Sequence, residues 1–206
     1  MRRIGHRGAK GHAPENTIAS FQKAIDLGCD EIETDVWLVD GALLITHDRP
    51  ASAKGLLTLD DALDFCAGRV VLNLELKNSR SDASATETGE AVARRLLERE
   101  AKDVYVSSFW FSALDGAMSV APDIDRAFIF GAAPDMPALL AQARVLELWA
   151  LHPEHEYVTP GRVSAAHAAS LRVNTWTVND PKEIAQLAEW GVDGIMSDFP
   201  ERVPKR

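Results

Sequence analysis

Short apolar runs rich in Val, Ile and Leu recur along this chain, separated by longer stretches in which apolar residues return every three or four positions. The short runs read as strands and the longer ones as helices, because side chains alternate across a strand and return to one helix face at that spacing. Eight strands are expected, at Arg3–Gly5, Glu31–Leu38, Val70–Leu76, Val104–Ser107, Arg126–Phe130, Glu147–Leu151, Val173–Trp176 and Gly194–Ser197. Helices are expected between them, at Thr17–Leu27, Leu59–Ala67, Glu87–Glu100, Ser112–Val120, Met136–Ala143, Pro160–Ser170 and Lys182–Trp190. Boundary residues agree with these limits. Asn16-Thr17 can cap the first helix, Gly28 and Gly191 can end helices, and Pro181 suits a first helical turn. Asp40-Gly41, set between Val36–Val39 and Ala42–Ile45, predicts a hairpin.

Strands alternating with helices either close into a barrel or lie open as a doubly wound sheet, and periodicity does not choose between them. Polar strand ends do. His6-Arg7, Glu33 with Asp35, Glu75 with Lys77, Ser107-Ser108, His152, Trp176-Thr177-Asn179 and Ser197-Asp198 all fall where a strand stops. Barrel enzymes build their sites at the carboxyl ends of many strands, so the expected fold is α/β, a (β/α)8 TIM barrel with its active site at those ends. The 206 residues, with no dividing linker, suit one domain over 1–206. Folding should bury roughly 70% of the surface the unfolded chain exposes.

Acidic side chains outnumber basic ones, 31 to 22, so the average surface field repels polyanions and nucleic acid is not an expected partner. Cys29 and Cys66 lie in apolar, helix-like settings and are expected to stay reduced as small buried hydrophobes. Met1-Arg2-Arg3 leads into Ile4 without an apolar leader, and no stretch has the length to span a bilayer. A soluble cytoplasmic protein is expected.

The chemistry concentrates on two strands. Glu33 and Asp35 are two residues apart and leave one face, as do Glu75 and Lys77 on the next expected strand. In a barrel these strands would bring three carboxylates together, an arrangement that raises pKa values unless a cation compensates. An oxygen-only donor set suits Mg2+ or Ca2+ better than zinc, which prefers nitrogen and sulfur. The competing reading, solvated strand residues and a surface ion pair, fits poorly among neighbours such as Ile32, Val36, Leu72 and Leu74. His6 follows the first strand and His47 the hairpin. Imidazole titrates near neutral pH, so such a pair can serve as general acid and general base. Arg7 offers a guanidinium fork for a phosphoryl oxygen or is a surface residue.

Taken together, Gly5-His6-Arg7-Gly8, Ala13-Pro14-Glu15-Asn16-Thr17, Glu31-Ile32-Glu33-Thr34-Asp35-Val36, Asp40-Gly41 and His47-Asp48 resemble the opening signature of the glycerophosphodiester phosphodiesterases. The likeness continues through Glu75-Leu76-Lys77, Ser108-Phe109, His152-Pro153, Trp176-Thr177-Val178-Asn179 and Gly194-Ile195-Met196-Ser197-Asp198, in order along nearly the whole chain. The resemblance implies a divalent cation, Mg2+ or Ca2+ with Mn2+ as an alternative, held by Glu33, Asp35 and Glu75. It implies catalytic histidines at His6 and His47, phosphate contacts from Arg7 and Lys77, and a wall of the glycerol pocket from Trp176. Trp176 also suits plain barrel packing, and His152 suits either the site rim or the core. Asn16 reads mainly as a helix cap and Glu15 as a structural or supporting group.

The implied reaction cleaves a glycerophosphodiester to glycerol 3-phosphate and an alcohol. Water is one nucleophile; the glycerol 2-hydroxyl, giving a cyclic phosphate, is another. A lysophospholipase D or cyclising phospholipase of the same superfamily, and a silent phosphodiester-binding module, are the alternatives. In one respect the chain departs from the family pattern. Between His47-Asp48 and Leu57-Thr58-Leu59, where many members carry a longer insertion, only Arg49–Leu56 remain. A short rim segment leaves one side of the pocket open and discrimination among headgroups weak, unless Phe109-Trp110-Phe111 closes the gap with Trp110 on the rim.

Overall fold

The computed structural model describes residues 1–205. Its order is β1 (Arg2–His6), α1 (Ile18–Asp26), β2 (Glu31–Val39), β3 (Ala42–Ile45), β4 (Leu57–Thr58), α2 (Leu59–Cys66), β5 (Val71–Leu76), α3 (Asp82–Glu98), β6 (Val104–Ser108), α4 (Phe111–Val120), β7 (Arg126–Phe130), α5 (Met136–Val145), β8 (Ala150–Pro153), α6 (Pro160–Ala168), β9 (Arg172–Thr175), α7 (Pro181–Glu189) and β10 (Gly194–Ser197). Around the ring β1, β2, β5, β6, β7, β8, β9 and β10 pair in parallel, and β10 returns to β1, so the sheet closes as an eight-stranded barrel. Beyond Val36, which still pairs with Leu76, β2 leaves the ring over Trp37–Val39 and carries β3 and β4 as an antiparallel flap.

Local chemistry sets most boundaries. Thr17, Thr58, Ser81, Asp135, Thr159 and Asp180 each cap a helix by accepting a backbone N–H. The departures from expectation are also local. Helix α3 begins five residues before the expected Glu87, because the polar turn after Ser81 has a cap but no apolar periodicity. Strand β8 starts at Ala150 and not Glu147, since Glu147 takes φ 48° and the Leu148 N–H closes back on Ala143 at the end of α5. The two-residue β4 has no signal of its own and exists through its pairing with β3.

Alternation along the strands divides the molecule into an apolar shell and a polar lumen. Ile32, Val36, Leu72, Leu74, Leu76 and Val106 face outward into the main hydrophobic core, packed with Phe21, Leu59, Val92 and Leu114 of the helices. The other parity faces the barrel axis: Glu31, Asn73, Tyr105, Ser107, His152 and Asn174 are all buried. Low in the lumen the Tyr105 hydroxyl donates to Glu31 at 2.9 Å, and Arg2 pairs with the same carboxylate. His152 lies deeper than a rim residue can. It is fully buried, edge-on to Tyr105 and 3.3 Å from the Asn174 amide, and desolvation pulls its pKa down to about 3. The rim alternative for His152 is thereby corrected: it is a neutral lumen residue.

Both cysteines are free, and burial pushes their thiols up, to about 12 for Cys29 and about 11 for Cys66. Among the described residues no helix is long and apolar enough to cross a membrane.

Because Glu31 is fully buried, its partners decide whether its charge is tolerated. Tyr105→Phe should destabilise the fold by about 1–3 kcal/mol, the usual cost of leaving a buried polar group short of a partner, as read from urea unfolding midpoints. An unchanged midpoint would show that Arg2 alone satisfies that carboxylate.

Candidate active site

Strand register assembles the site. Asp35 lies opposite Glu75 across the β2–β5 pair, and Glu33 opposite His6 across β2–β1, so neighbouring side chains share the barrel-mouth face. One carboxylate oxygen each from Glu33, Asp35 and Glu75 falls within a 4.8 Å group. Glu33 is 2% exposed and Asp35 fully buried. Desolvation first, then the charges of Asp35 and Glu75, hold the Glu33 carboxyl well above the ordinary glutamate value. Glu75 is raised for the same reasons, burial and then Asp35, against the opposing pull of Lys77.

Cations answer only part of this repulsion. Lys77 Nζ lies 2.8 Å from Glu75 and 3.4 Å from Asp35, and Arg7 Nε is 3.3 Å from Asp35. Burial works against both cations, but the surrounding carboxylates outweigh it and raise both pKa values, so each stays charged. Asp35 Oδ1 remains buried without a hydrogen bond. Three oxygen donors, two raised pKa values and a buried carboxylate oxygen without a hydrogen bond are the electrostatics of a divalent-cation site, and the residues fit such an ion.

The loop after β1 supports the cluster from below. Arg7 has φ 50° and Gly8 φ 85°, a turn that sends the Arg7 backbone N–H onto Glu33 at 2.9 Å. A Cβ at Gly8 would meet Ser20 Oγ at 2.4 Å and the Ser20 backbone at 2.7 Å, so only glycine fits there. Glu15 holds the Arg7 guanidinium through both carboxylate oxygens at 3.1 Å and also pairs with Lys10, a supporting position. Asn16 departs from its expected role. Thr17 is the cap of α1, and Asn16, at φ 56°, donates its amide to Asp35 at 2.9 Å and accepts from Thr34 at 2.7 Å. It orients the central carboxylate.

The two histidines are held alike. His6 Nδ1 lies 2.6 Å from Asp198, and His47 Nδ1 lies 3.0 Å from Asp48. Burial tends to raise Asp198, but hydrogen bonds from His6 and Asn179 outweigh it and keep its pKa below the ordinary aspartate value. An ionised carboxylate can only accept, so Nδ1 of His6 carries the proton donated to it and Nε2 is left for exchange. Asn179 completes the support, donating to Asp198 at 2.9 Å and accepting from the Asp198 N–H and from Ser197. Asp198 and Asn179 belong to the polar strand ends of β10 and β9, yet their task was not legible without the ring closure. Trp176 is half-buried at the mouth, donates to the His152 carbonyl at 2.8 Å and meets Phe109 edge-on at 5.5 Å. Trp110 lines a cleft with His47, Glu75 and Lys77.

Comparison with known proteins places the chain within a family of the same fold. The sequence profile of the Glycerophosphoryl diester phosphodiesterase family matches residues 6–53 and 48–202. A glycerophosphodiester phosphodiesterase of Bacillus altitudinis is 31% identical over 239 residues, covering 98% of this chain and 96% of its own. That span exceeds the 206 residues here, so the relative carries segments without a counterpart. One from Caldanaerobacter subterraneus subsp. tengcongensis is 28% identical, covering 96% of this chain and 94% of its own. Among solved structures, an Oleispira antarctica phosphodiesterase in complex with the product sn-glycerol-3-phosphate superposes with a TM-score of 0.88 at 29% identity, covering 98% of this chain and 95% of that one.

The raised pKa values of Glu33 and Glu75 have a thermodynamic consequence. Between the ordinary glutamate value and the raised one, the folded chain binds more protons than the unfolded chain, so stability is greatest below that interval and falls as pH rises through it. In chelator-treated protein, the melting temperature of wild type should fall relative to Glu33→Gln as pH rises from the ordinary glutamate range towards neutrality. Thermal melts of both proteins across that range measure the difference, and a gap that stays constant with pH would remove the repulsion from the account.

Proposed function

We propose a metal-assisted, two-histidine cleavage of glycerophosphodiesters for this chain, which belongs to the glycerophosphoryl diester phosphodiesterase family. The chain is a phosphoric diester hydrolase of that family; the division of labour among its residues is our reading. The observation that carries it is the pairing of a partly uncompensated three-carboxylate cluster with two histidines that each anchor Nδ1 on a carboxylate.

Glu33, Asp35 and Glu75 would hold the divalent cation, Mg2+ or Ca2+ with Mn2+ as an alternative, and once bound it would offset the charge developing on the phosphoryl oxygens. Arg7 and Lys77 contribute positive charge beside the same position, each kept protonated by the carboxylates around it. His6 and His47 exchange protons through Nε2: one accepts from the attacking hydroxyl, the other donates to the departing alkoxide. Asp198 and Asp48 act through them, fixing the tautomer that leaves Nε2 available. Trp176, at the mouth beside Phe109, lines the glycerol side. The products are glycerol 3-phosphate and the alcohol, in keeping with the sn-glycerol-3-phosphate held by the Oleispira antarctica phosphodiesterase.

His6→Ala and His47→Ala should each lower kcat on a glycerophosphodiester by at least ~10²-fold, the usual contribution of a general acid or base, with circular dichroism unchanged. Chelation should stop turnover and Mg2+ or Ca2+ restore it, with phosphorus NMR following glycerol 3-phosphate. A variant that keeps near wild-type kcat would remove that histidine from the chemistry, and chelator-resistant turnover would remove the metal.

A further inference from the structure

A cleft of about 490 Å3 opens beside the carboxylate cluster, between the segment after β3 and the loops after β5 and β6. Its inner wall is Glu75 and Lys77, which belong to the site already described. Its outer walls are built from Arg49, Arg80 and Trp110. Arg80 and Trp110, from the loops after β5 and β6, thus wall the side that the short Arg49–Leu56 segment leaves sparse.

The charges of this cleft are unequally spent. Lys77 is engaged by Glu75 and Asp35, and the Asp48 carboxylate, although 96% exposed, faces His47 Nδ1 at 3.0 Å. Arg49 and Arg80 line the cleft without an ion-pair partner among the described residues, and both are exposed. Arg80 is also held in place. Its backbone, at φ 59°, is turned by an N–H donated to Asn78 Oδ1 at 2.7 Å, and the Ser79 N–H donates to Ser84 Oγ at 3.1 Å. On a chain with a net charge of −9, the cleft lining sets three cations, Lys77, Arg49 and Arg80, against the carboxylates of Glu75 and Asp48, a local reversal of sign that the two guanidinium groups supply.

Phe109 lines this cleft and meets Trp176 edge-on, and Trp176 itself is not part of the cleft wall. With Trp176 on the glycerol side, as proposed above, the aromatic pair stands between that side and the cleft, which leaves the cleft to the alcohol on the other side of phosphorus. An aromatic wall such as Trp110 would stack on a quaternary ammonium as readily as on other groups. The neighbouring guanidinium groups reverse that preference, since they repel a cationic headgroup and can bind a carboxylate or phosphate in a fork.

We infer that this cleft selects glycerophosphodiesters whose leaving alcohol carries its own anionic group, with Arg49 and Arg80 as the specificity-determining residues. The inference rests on the phosphodiesterase reading above, and the test separates the two. Glycerophosphoserine and glycerophosphoethanolamine differ by one carboxylate, and glycerophosphocholine adds a fixed positive charge. Their kcat/KM values should be compared in the metal-loaded full chain for wild type, the Arg49→Gln/Arg80→Gln double variant and the Arg49→Lys/Arg80→Lys double variant.

Wild type should prefer glycerophosphoserine over the other two by at least about tenfold, the scale of one partly solvated charge contact. The glutamine variant should bring the ratio to within about threefold, and the lysine variant should keep most of it, because the charge survives while the fork is lost. Added salt should shrink the wild-type ratio, since exposed charges are screened. Similar values for all three substrates in wild type, or a preference for choline, would overturn the inference and leave the phosphodiesterase reading intact. A glutamine variant that loses activity equally on all three would overturn it too, by assigning the arginines to the half the substrates share. Absence of turnover on every substrate would overturn both readings together.

Discussion

Three carboxylates forced within 4.8 Å of one another at the mouth of the barrel are the constraint around which the rest of this molecule is arranged. Buried like charges repel strongly where water cannot screen them, and the fold answers from several directions. Lys77 follows directly on the strand that carries Glu75, Arg7 comes from the loop after β1, and Asn16 from the turn before α1. Even so, Asp35 keeps an oxygen without a hydrogen bond. The folded chain carries this unrelieved cost, and on the proposed reading a bound cation would relieve it.

Rigidity has its own source. The apolar residues of β2 and β5 that face outward, Ile32, Leu72, Leu74 and Leu76, anchor the strands against the helices while the carboxylates project inward. A slip of one residue in register would send Glu33, Asp35 and Glu75 into the apolar shell, which burial forbids. The packing that stabilises the barrel and the geometry that serves the site are therefore one alternation seen from two faces. The polar lumen extends it downwards, through Asn73, Ser107 and His152 to the Glu31–Tyr105–Arg2 group.

The two histidines make the same Nδ1–carboxylate contact in unlike surroundings. His6 sits on the ring itself, its partner Asp198 half-buried and tied by Asn179. His47 lies after the flap, its partner Asp48 exposed to solvent and its backbone carbonyl accepting from Trp37 at 3.1 Å. The ring side is the more firmly built one, and the flap side lies next to the cleft of Arg49 and Arg80.

Period-two and period-three-to-four patterns placed the strands and helices from sequence because those signals are local, and the spacing of Glu33 and Asp35 put both on one face for the same reason. The polar strand ends also carried the barrel and the clustering of Glu33, Asp35 and Glu75, since a parallel closed sheet brings such ends together wherever they occur. Tertiary structure alone decided the rest. Asn16 and Thr17 are both competent caps, and which one caps depends on the φ of 56° that Asn16 adopts when the β1 loop folds onto Asp35. The depth of His152 depends on the lumen that exists only after eight strands close. Asp198 and His6 are 192 residues apart, and they meet because β10 pairs with β1. A contact of that kind has no local signal; it follows from the curvature and twist of the whole sheet, which sequence neighbours do not encode.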